Sequence, residues 1–234
     1  MNVLVIGPAG SGKSTFVRSF LEYLKDYDVK AVNLDPASDP IYEANADVRE
    51  FVRTEDVMRR FGLGINGALI KSVEMALDHI DELIVEGDYV LYDTPGQMEL
   101  FLYLKEGIEM ARRIAEKDWT VALFIVDSEV ASTPENYVSI LAQNAVISLR
   151  TGVPTVTVFN KTDVIDFDLT PSKVRDMLSK EEGVLAELLE RLVDFLEFTT
   201  ARFRSIKISA LKGEGFDDVL SAINEIFCSC GDLS

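Results

Sequence analysis

A glycine-rich segment near the start of the chain has the residue types that bind phosphate. It reads Gly7-Pro8-Ala9-Gly10-Ser11-Gly12-Lys13-Ser14, with the spacing G-x-x-x-x-G-K-[ST]. Glycines here let successive backbone N–H groups turn toward phosphate oxygens, and the positive end of a following helix adds to the attraction. We therefore expect nucleotide phosphates to contact the residues from Gly10 to Thr15. Within this segment, Lys13 is expected to reach the β- and γ-phosphates and Ser14 to hold Mg²⁺.

A second segment, Asp93-Thr94-Pro95-Gly96-Gln97, follows an apolar run and supplies a carboxylate. If Asp93 ends a strand beside the glycine-rich loop, it can take a water of the Mg²⁺ shell and so act as a metal residue together with Ser14. Gly96 would then let a backbone N–H approach the γ-phosphate. The alternative is an ordinary Pro-Gly turn, because D-x-x-G alone carries little information.

Two later segments have residues that recognise a base. In Asn160-Lys161-Thr162-Asp163, the Asp163 carboxylate presents two acceptors to the N1–H and the exocyclic amine of guanine, a donor pair that adenine lacks. Lys161 would lie along the base, and Asn160 would join this loop to the phosphate loop. Further on, Ser209-Ala210-Leu211 is expected to direct a backbone N–H toward guanine O6.

Short β-branched runs alternate with helical patterns along the whole chain. Most of the runs are apolar on consecutive residues, which is typical of strands covered on both faces, as in a parallel sheet flanked by helices. We predict strands at 2–6, 29–34, 88–92, 119–126, 153–159 and 204–208. Helices are predicted at 13–24, 98–117, 134–149, 171–179, 184–200 and 216–226. This order predicts a doubly wound α/β fold with a mostly parallel sheet.

The interval 35–87 is too long for a single crossover between neighbouring strands. It contains two further helical patterns, 54–61 and 68–80, separated by glycines that form either a hinge or a turn. We therefore predict one domain over 1–234 with an inserted helical segment at 54–87. A helical crossover precedes the second strand, which should accordingly lie parallel to the third and bring Asp35 beside the phosphates.

Composition limits the possible partners and location. The 234 residues are 47% hydrophobic and carry a net charge of −17, which argues against direct binding to DNA or RNA and requires any phosphate site to be local. No apolar run approaches the roughly 20 residues of a membrane span. The two cysteines, Cys228 and Cys230, are too few for a zinc site and fit a reducing compartment. We expect a cytoplasmic protein that contacts neither membrane nor nucleic acid.

Taken together, these motifs resemble those of the GPN-loop GTPases, and the resemblance covers essentially the whole chain. It rests on the segments 7–14, 34–37, 47–50, 64–67, 93–99 and 160–163. The sequence departs from the family where Gly-Pro-Asn is replaced by Gly64-Ile65-Asn66. By this resemblance the protein would be a homodimer that hydrolyses GTP to GDP, with Asn66 approaching the γ-phosphate of the partner subunit.

The resemblance also assigns roles in hydrolysis, in which a water must be held in line with the γ-phosphorus. Asp35 would hold the water or accept its proton, Gln97 and Glu99 would orient it, and Lys13 with Mg²⁺ would absorb the developing charge. A solvated helix residue is the alternative for Glu99. The family is associated with assembly or maturation of client proteins, including RNA polymerase. Arg49 of its D-x-R-E segment is either a structural ion pair or a dimer contact.

Three other functions remain open at this point. A metal-insertion GTPase should show clustered cysteine and histidine ligands, whereas this chain has one histidine. A nucleotide-gated scaffold without turnover would follow if Ile65 disables the loop. A small-molecule kinase is disfavoured because kinases of this fold rarely recognise guanine through an Asn-Lys-x-Asp segment.

Overall fold

The computed structural model describes residues 1–165, 167–180, 183–199 and 206–231, and a parallel sheet forms its centre. The strands are β1 (Asn2–Ile6), β2 (Val29–Asn33), β3 (Ala46–Asp47), β4 (Tyr89–Asp93), β5 (Thr120–Asp127), β6 (Thr155–Asn160) and β7 (Ile206–Lys207). Their order in the sheet is β3-β2-β4-β1-β5-β6-β7, and each neighbouring pair is parallel. The predicted α/β fold with a parallel sheet is confirmed, including the parallel pairing of β2 with β4. The strand β3 was not predicted, because two residues are too few to produce a pattern.

Helices cover both faces of the sheet, which explains why its strands are apolar on consecutive residues. In β1, Val3 and Val5 face a core cluster that contains Phe16 and Phe20. Leu4 and Ile6, one position further along, face the other cluster. Since side chains alternate between faces, a strand buried on both sides must be apolar at every position.

Nine helices are present in the described residues. They are α1 (Lys13–Tyr23), α2 (Thr54–Phe61), α3 (Ile65–Leu77), α4 (Met98–Tyr103), α5 (Lys105–Lys117), α6 (Pro134–Thr151), α7 (Pro171–Leu178), α8 (Val184–Thr199) and α9 (Phe216–Gly231). Short 3₁₀ turns lie at Val48–Glu50 and Ile80–Glu82. Residues 200, 204 and 205, at the ends of a predicted helix and a predicted strand, lie outside the described residues. No helix in the described ranges is both long enough and apolar enough to cross a membrane.

The helix predicted at 98–117 is in fact two helices, and this prediction was wrong. The chain is extended at Leu104, with φ −76° and ψ 142°, which separates α4 from α5. Gly107 then packs so closely against the end of α4 that a Cβ there would lie 2.3 Å from the carbonyl oxygen of Phe101. The apolar spacing continues through the break, so periodicity alone could not reveal it.

Between β2 and β4, the chain forms α2 and α3. Gly62 ends α2 in the left-handed region, with φ 63°. Of the two predicted alternatives, this left-handed glycine fits the turn that needs backbone freedom. The helix α3 begins at Ile65 rather than at Ala68, so Gly64-Ile65-Asn66 forms a cap and a first helical turn. The inner face of α3 joins the larger core through Val73 and Ala76.

Candidate functional site

A cleft of about 430 Å³ opens at the carboxyl edge of the sheet. Loops that follow β1, β2, β4 and β6 all contribute to it, because parallel strands end at the same edge. The lining residues are Ala9, Gly10, Gly12, Lys13, Ser14, Thr15, Asn33, Asp35, Ser38, Asp39, Pro40, Asp93, Thr94, Gly96 and Lys161. The predicted phosphate loop, the Asp93 segment and Lys161 therefore meet in one place.

The glycine-rich loop has a backbone that requires glycine. Gly10 and Gly12 have φ angles of 79° and 92°, in the left-handed region. A Cβ on Gly12 would also lie 2.4 Å from Nδ2 of Asn160. Gly12 precedes α1, and no side chain caps that helix. The first-turn N–H groups of α1 therefore point into the cleft without a side-chain partner, as an anion site needs.

Lys13 lies buried at the floor of the cleft. Its Nζ donates to the carbonyl oxygens of Gly7, at 2.9 Å, and Pro8, at 3.2 Å. Burial lowers the pKa of Lys13, and the nearby Asp93 and Asp35 carboxylates partly offset this effect. An ammonium held by two neutral carbonyls is poorly compensated, so a phosphate anion would be a better partner.

Asp93 ends β4 and is almost fully buried beside Ser14. Burial raises its pKa, whereas the Ser14 hydroxyl, the Lys13 ammonium and the Tyr42 hydroxyl lower it. Tyr42 donates to Asp93 Oδ2 at 3.1 Å. Oδ1 of Asp93 is buried without a hydrogen bond of normal geometry from any described residue. A buried carboxylate oxygen of this kind, next to a hydroxyl, fits a hydrated Mg²⁺ ion.

The Asp35 carboxylate connects the ends of β2 and β4. Its Oδ1 accepts from the N–H of Ala37 at 2.9 Å, and its Oδ2 accepts from the N–H of Gly96 at 3.2 Å. The N–H expected to approach a γ-phosphate is thus engaged by Asp35. A nucleotide that reaches Gly96 would have to displace this carboxylate.

An ion pair forms one rim of the cleft. The guanidinium of Arg49 is buried and pairs with the exposed carboxylate of Asp39. Asp47 caps the same turn, accepting from the N–H of Arg49 at 2.9 Å and from Asn33 Nδ2 at 2.9 Å. Of the two roles left open for Arg49, the structure shows the ion pair, and the dimer contact stays a prediction.

The Asn160 side chain makes three hydrogen bonds that hold the base-recognition loop. Its Nδ2 donates to the carbonyl of Ser11 at 2.9 Å, and its Oδ1 accepts from the N–H of Lys161 at 2.8 Å and of Ala210 at 2.9 Å. The predicted link between the two loops is present. Because Ala210 N–H is already engaged, guanine O6 would have to share or replace that bond.

Lys161 and Asp163 lie in the same loop, and their side chains have different partners. Lys161 has a φ of 66°, and its Nζ donates to Asp127 Oδ2 at 2.6 Å. The Ser209 hydroxyl is the main cause of a lowered pKa for Asp163, which keeps that carboxylate ionised. Leu211 is mostly exposed beside them. The Ser209 hydroxyl and the backbone N–H of Asp163 thus occupy part of the acceptor capacity of this carboxylate, and a base would have to use its remaining lone pairs.

Three predicted catalytic residues do not line the cleft. Gln97 precedes α4, Glu99 lies in its first turn, and both are exposed. Asn66 lies in the first turn of α3 and is also exposed. Sequence reasoning missed Tyr42, Asp39 and Asp127, which contact predicted site residues. They belong to no recognised motif, and only Asp127 had a signal, its position at the end of a strand.

Within the described ranges, no group of three or more His, Cys, Asp or Glu side chains is close enough to hold a metal ion. A Mg²⁺ site at Ser14 and Asp93 would instead combine a hydroxyl and a carboxylate with oxygens from the nucleotide and from water.

The glycine-rich loop before α1, the carboxylates at adjacent strand ends and the base-recognition loop after β6 define a P-loop GTPase. A family model described as a conserved hypothetical ATP binding protein matches residues 5–229. The GPN-loop GTPase PAB0955 of Pyrococcus abyssi is 32% identical in an alignment that covers 100% of both chains. The chain belongs to the GPN-loop GTPase family.

The fold and other relatives agree with this assignment. The crystal structure of PAB0955, a GTPase in its apo form, matches with a TM-score of 0.87 and 31% identity over 98% of each chain. The GPN-loop GTPase QQT2 of Arabidopsis thaliana is 32% identical over 94% of this chain and 62% of its own length. GPN-loop GTPase 1 of Saccharomyces cerevisiae is 29% identical over 95% of this chain and 65% of its own length. The chain thus spans somewhat less than two thirds of these two eukaryotic relatives.

Proposed function

We propose that this GTPase hydrolyses GTP to GDP and phosphate with Mg²⁺, acting as a homodimeric nucleotide switch. The observation that carries the proposal is the convergence of Lys13, Asp35 and Asp93 on one cleft whose far loop, at Asn160, is bonded to the phosphate loop. The fold supplies the N–H groups of α1 for phosphate, and Asp163 supplies two acceptors for guanine.

In this proposal Ser14 and Asp93 hold Mg²⁺. The Ser14 hydroxyl would bind the ion directly, and Asp93 would accept from a water of its shell through Oδ1, which lacks a hydrogen bond of normal geometry from the described residues. When bound, Mg²⁺ neutralises charge on the phosphates. Lys13 would give up its carbonyl partners for phosphate oxygens, which compensates a buried ammonium better than two neutral carbonyls do.

Asp35 is the residue best placed to hold the attacking water. Its Oδ2 lies on the Gly96 N–H, where the γ-phosphate is expected, so displacement by that phosphate would leave the carboxylate next to the reacting phosphorus. Gln97 and Glu99 would have to turn inward from their exposed positions to orient the water. Asn66 would act from the partner subunit, since it lies on the surface of its own.

The biological role is proposed from the family resemblance alone. The two protomers and the helical segment 54–87 would change arrangement with the bound nucleotide, in one domain that spans 1–234. The client would be a protein under assembly, with RNA polymerase as a candidate, and the location would be cytoplasmic. Direct contacts with nucleic acid or membrane are not part of this role.

The main test is phosphate release from GTP and from ATP, with and without Mg²⁺, while the mass in solution is measured on the same sample. Mg²⁺-dependent release from GTP at twice the monomer mass is expected. Release from ATP at an equal rate would contradict the base assignment, which matters because the family description mentions ATP. Tight GTP binding without turnover would contradict hydrolysis and favour a nucleotide-gated scaffold.

The base assignment has its own test in Asp163→Asn. This change removes one acceptor of the pair and should weaken GTP binding by roughly a hundredfold while sparing xanthosine triphosphate. Leu211→Ala is a suitable control, because Leu211 is exposed and would contribute only apolar contact. Unchanged GTP affinity in Asp163→Asn would overturn the assignment.

A further inference from the structure

The segment between β2 and β3 sends one side chain inward beneath the cleft. Ile41 and Glu43 are exposed on either side of it, whereas the ring of Tyr42 packs against the core cluster that contains Val3 and Phe16. Asn45 fixes the segment to β2, donating from its N–H to the carbonyl of Ala31 at 2.7 Å and accepting from the N–H of Ala31 at 2.9 Å. Packing of the Tyr42 ring and the bonds of Asn45 to β2 therefore hold the Tyr42 hydroxyl in place.

That hydroxyl contacts the buried carboxylate at the end of β4. It donates to Asp93 Oδ2 at 3.1 Å, while Asp93 Oδ1 is left buried without a hydrogen bond of normal geometry from the described residues. A carboxylate has two equivalent oxygens, so a donor fixed on one of them determines where the other points.

We propose that Tyr42 is a positioning residue for the Mg²⁺ site, which holds the Asp93 carboxylate so that Oδ1 faces Ser14 and the metal's hydration shell. The inference rests on the proposed function, because it requires Mg²⁺ beside Asp93. Partners that orient a metal-site carboxylate generally affect metal affinity by tenfold to a hundredfold when they are removed. Tyr42 lies outside every motif recognised in the sequence.

The variant Tyr42→Phe removes the hydroxyl and keeps the ring. The experiment measures binding of a fluorescent GDP analogue as Mg²⁺ is titrated from excess chelator. We expect the half-saturating Mg²⁺ concentration to rise about tenfold. GDP affinity in chelator alone and the melting temperature of the nucleotide-free protein should change little. A variant that folds poorly would instead lose GDP affinity and melt at a lower temperature, so these two measurements separate misfolding from a weaker Mg²⁺ site.

Tyr89→Phe is the matched control, because the partly buried Tyr89 hydroxyl makes a comparable hydrogen bond, 3.2 Å to Asn224 Oδ1, far from the cleft. It should leave the Mg²⁺ requirement unchanged. Asp93→Asn separates the two levels of the proposal. If Asp93→Asn raises the Mg²⁺ requirement and Tyr42→Phe does not, the role of Tyr42 is wrong. If neither does, the metal site itself is misplaced.

Discussion

Asn160 and Ser11 are separated by 149 residues in the chain, yet the Asn160 side-chain amide donates to the Ser11 carbonyl at 2.9 Å. The same side chain accepts from Lys161 and Ala210, so three loops meet at one buried amide. The phosphate loop and the base-recognition loop are thereby fixed relative to each other before any nucleotide binds, which lowers the entropic cost of binding.

Asn160→Ala should therefore lower guanine-nucleotide affinity by at least tenfold. It leaves buried N–H and carbonyl groups unpaired, which should also cost about 1 to 3 kcal/mol of unfolding free energy. Asn144→Ala is the control, since Asn144 is equally buried but donates to Thr155 and Thr157 away from the cleft. Both variants should be destabilised in denaturant titrations, but only Asn160→Ala should lose affinity. An equal loss of affinity in both would show that stability alone is responsible.

Two glycines of the phosphate loop should respond differently to alanine. Gly10→Ala meets open space and should cost only the roughly 1 to 2 kcal/mol of a left-handed residue. Gly12→Ala incurs the same strain and also places a methyl 2.4 Å from Asn160 Nδ2, which must move. Chemical denaturation should show the larger loss for Gly12→Ala, accompanied by weaker nucleotide binding. Equal losses would mean that the loop relaxes freely around the new methyl group.

Lys13→Met should stabilise the nucleotide-free protein while abolishing GTP binding. Burial lowers the pKa of Lys13, so the folded state holds a charged ammonium at a cost near neutral pH. At alkaline pH the unfolded chain binds more protons at this position than the folded one, so wild-type stability rises between the lowered pKa of the folded state and the ordinary lysine pKa of 10.5. The advantage of Lys13→Met should thus shrink as pH rises.

Wild type and Lys13→Met should be compared by thermal unfolding without nucleotide, from neutral to alkaline pH. Lys25→Met serves as its control, because Lys25 is exposed and follows the other end of α1. A gain of about 0.5 to 2 kcal/mol is expected for Lys13→Met and none for Lys25→Met. Lower stability in Lys13→Met would show that its bonds to Gly7 and Pro8 outweigh the cost of burying the charge.

The two residues of the ion pair at the cleft rim should differ in how much stability is lost when each is replaced. Asp39→Ala leaves the buried guanidinium of Arg49 without its carboxylate, whereas Arg49→Met leaves an exposed carboxylate in water. Removing the exposed partner should therefore destabilise the fold more than removing the buried one. Denaturant titrations of both single variants and the double variant measure the difference. A greater loss for Arg49→Met would indicate that packing of the Arg49 side chain dominates.

The motifs predicted the cleft because each of them lies at the carboxyl end of an apolar strand. Gly7 to Ser14 follows β1, Asp93 ends β4 and Asn160 ends β6. Since parallel strands end at the same edge of the sheet, their loops converge there. Tyr42 could not be predicted in this way, because its contact depends on how side chains of separate segments pack. Asp127 does end a strand, but its bond to Lys161 depends on side-chain packing in the same way. The break at Leu104 was missed for a related reason, since apolar spacing persists through an extended residue.

The residue that departs from the family motif, Ile65, occupies a position that favours proline. It is the first residue of α3, where a missing N–H costs no helical hydrogen bond. The preceding Gly64 has φ −69° and ψ 166°, in the extended region that a following proline requires. Ile65→Pro should consequently keep or raise stability, by up to about 1 kcal/mol, and leave GTP hydrolysis equal or faster.

Ile70→Pro, in the interior of the same helix, is the contrasting control and should cost roughly 3 kcal/mol. Denaturant titrations and phosphate-release rates test both variants. If Ile65→Pro folds normally but loses hydrolysis, then the Ile65 side chain, half exposed at 53%, has a role of its own in the proposed contact with the partner subunit.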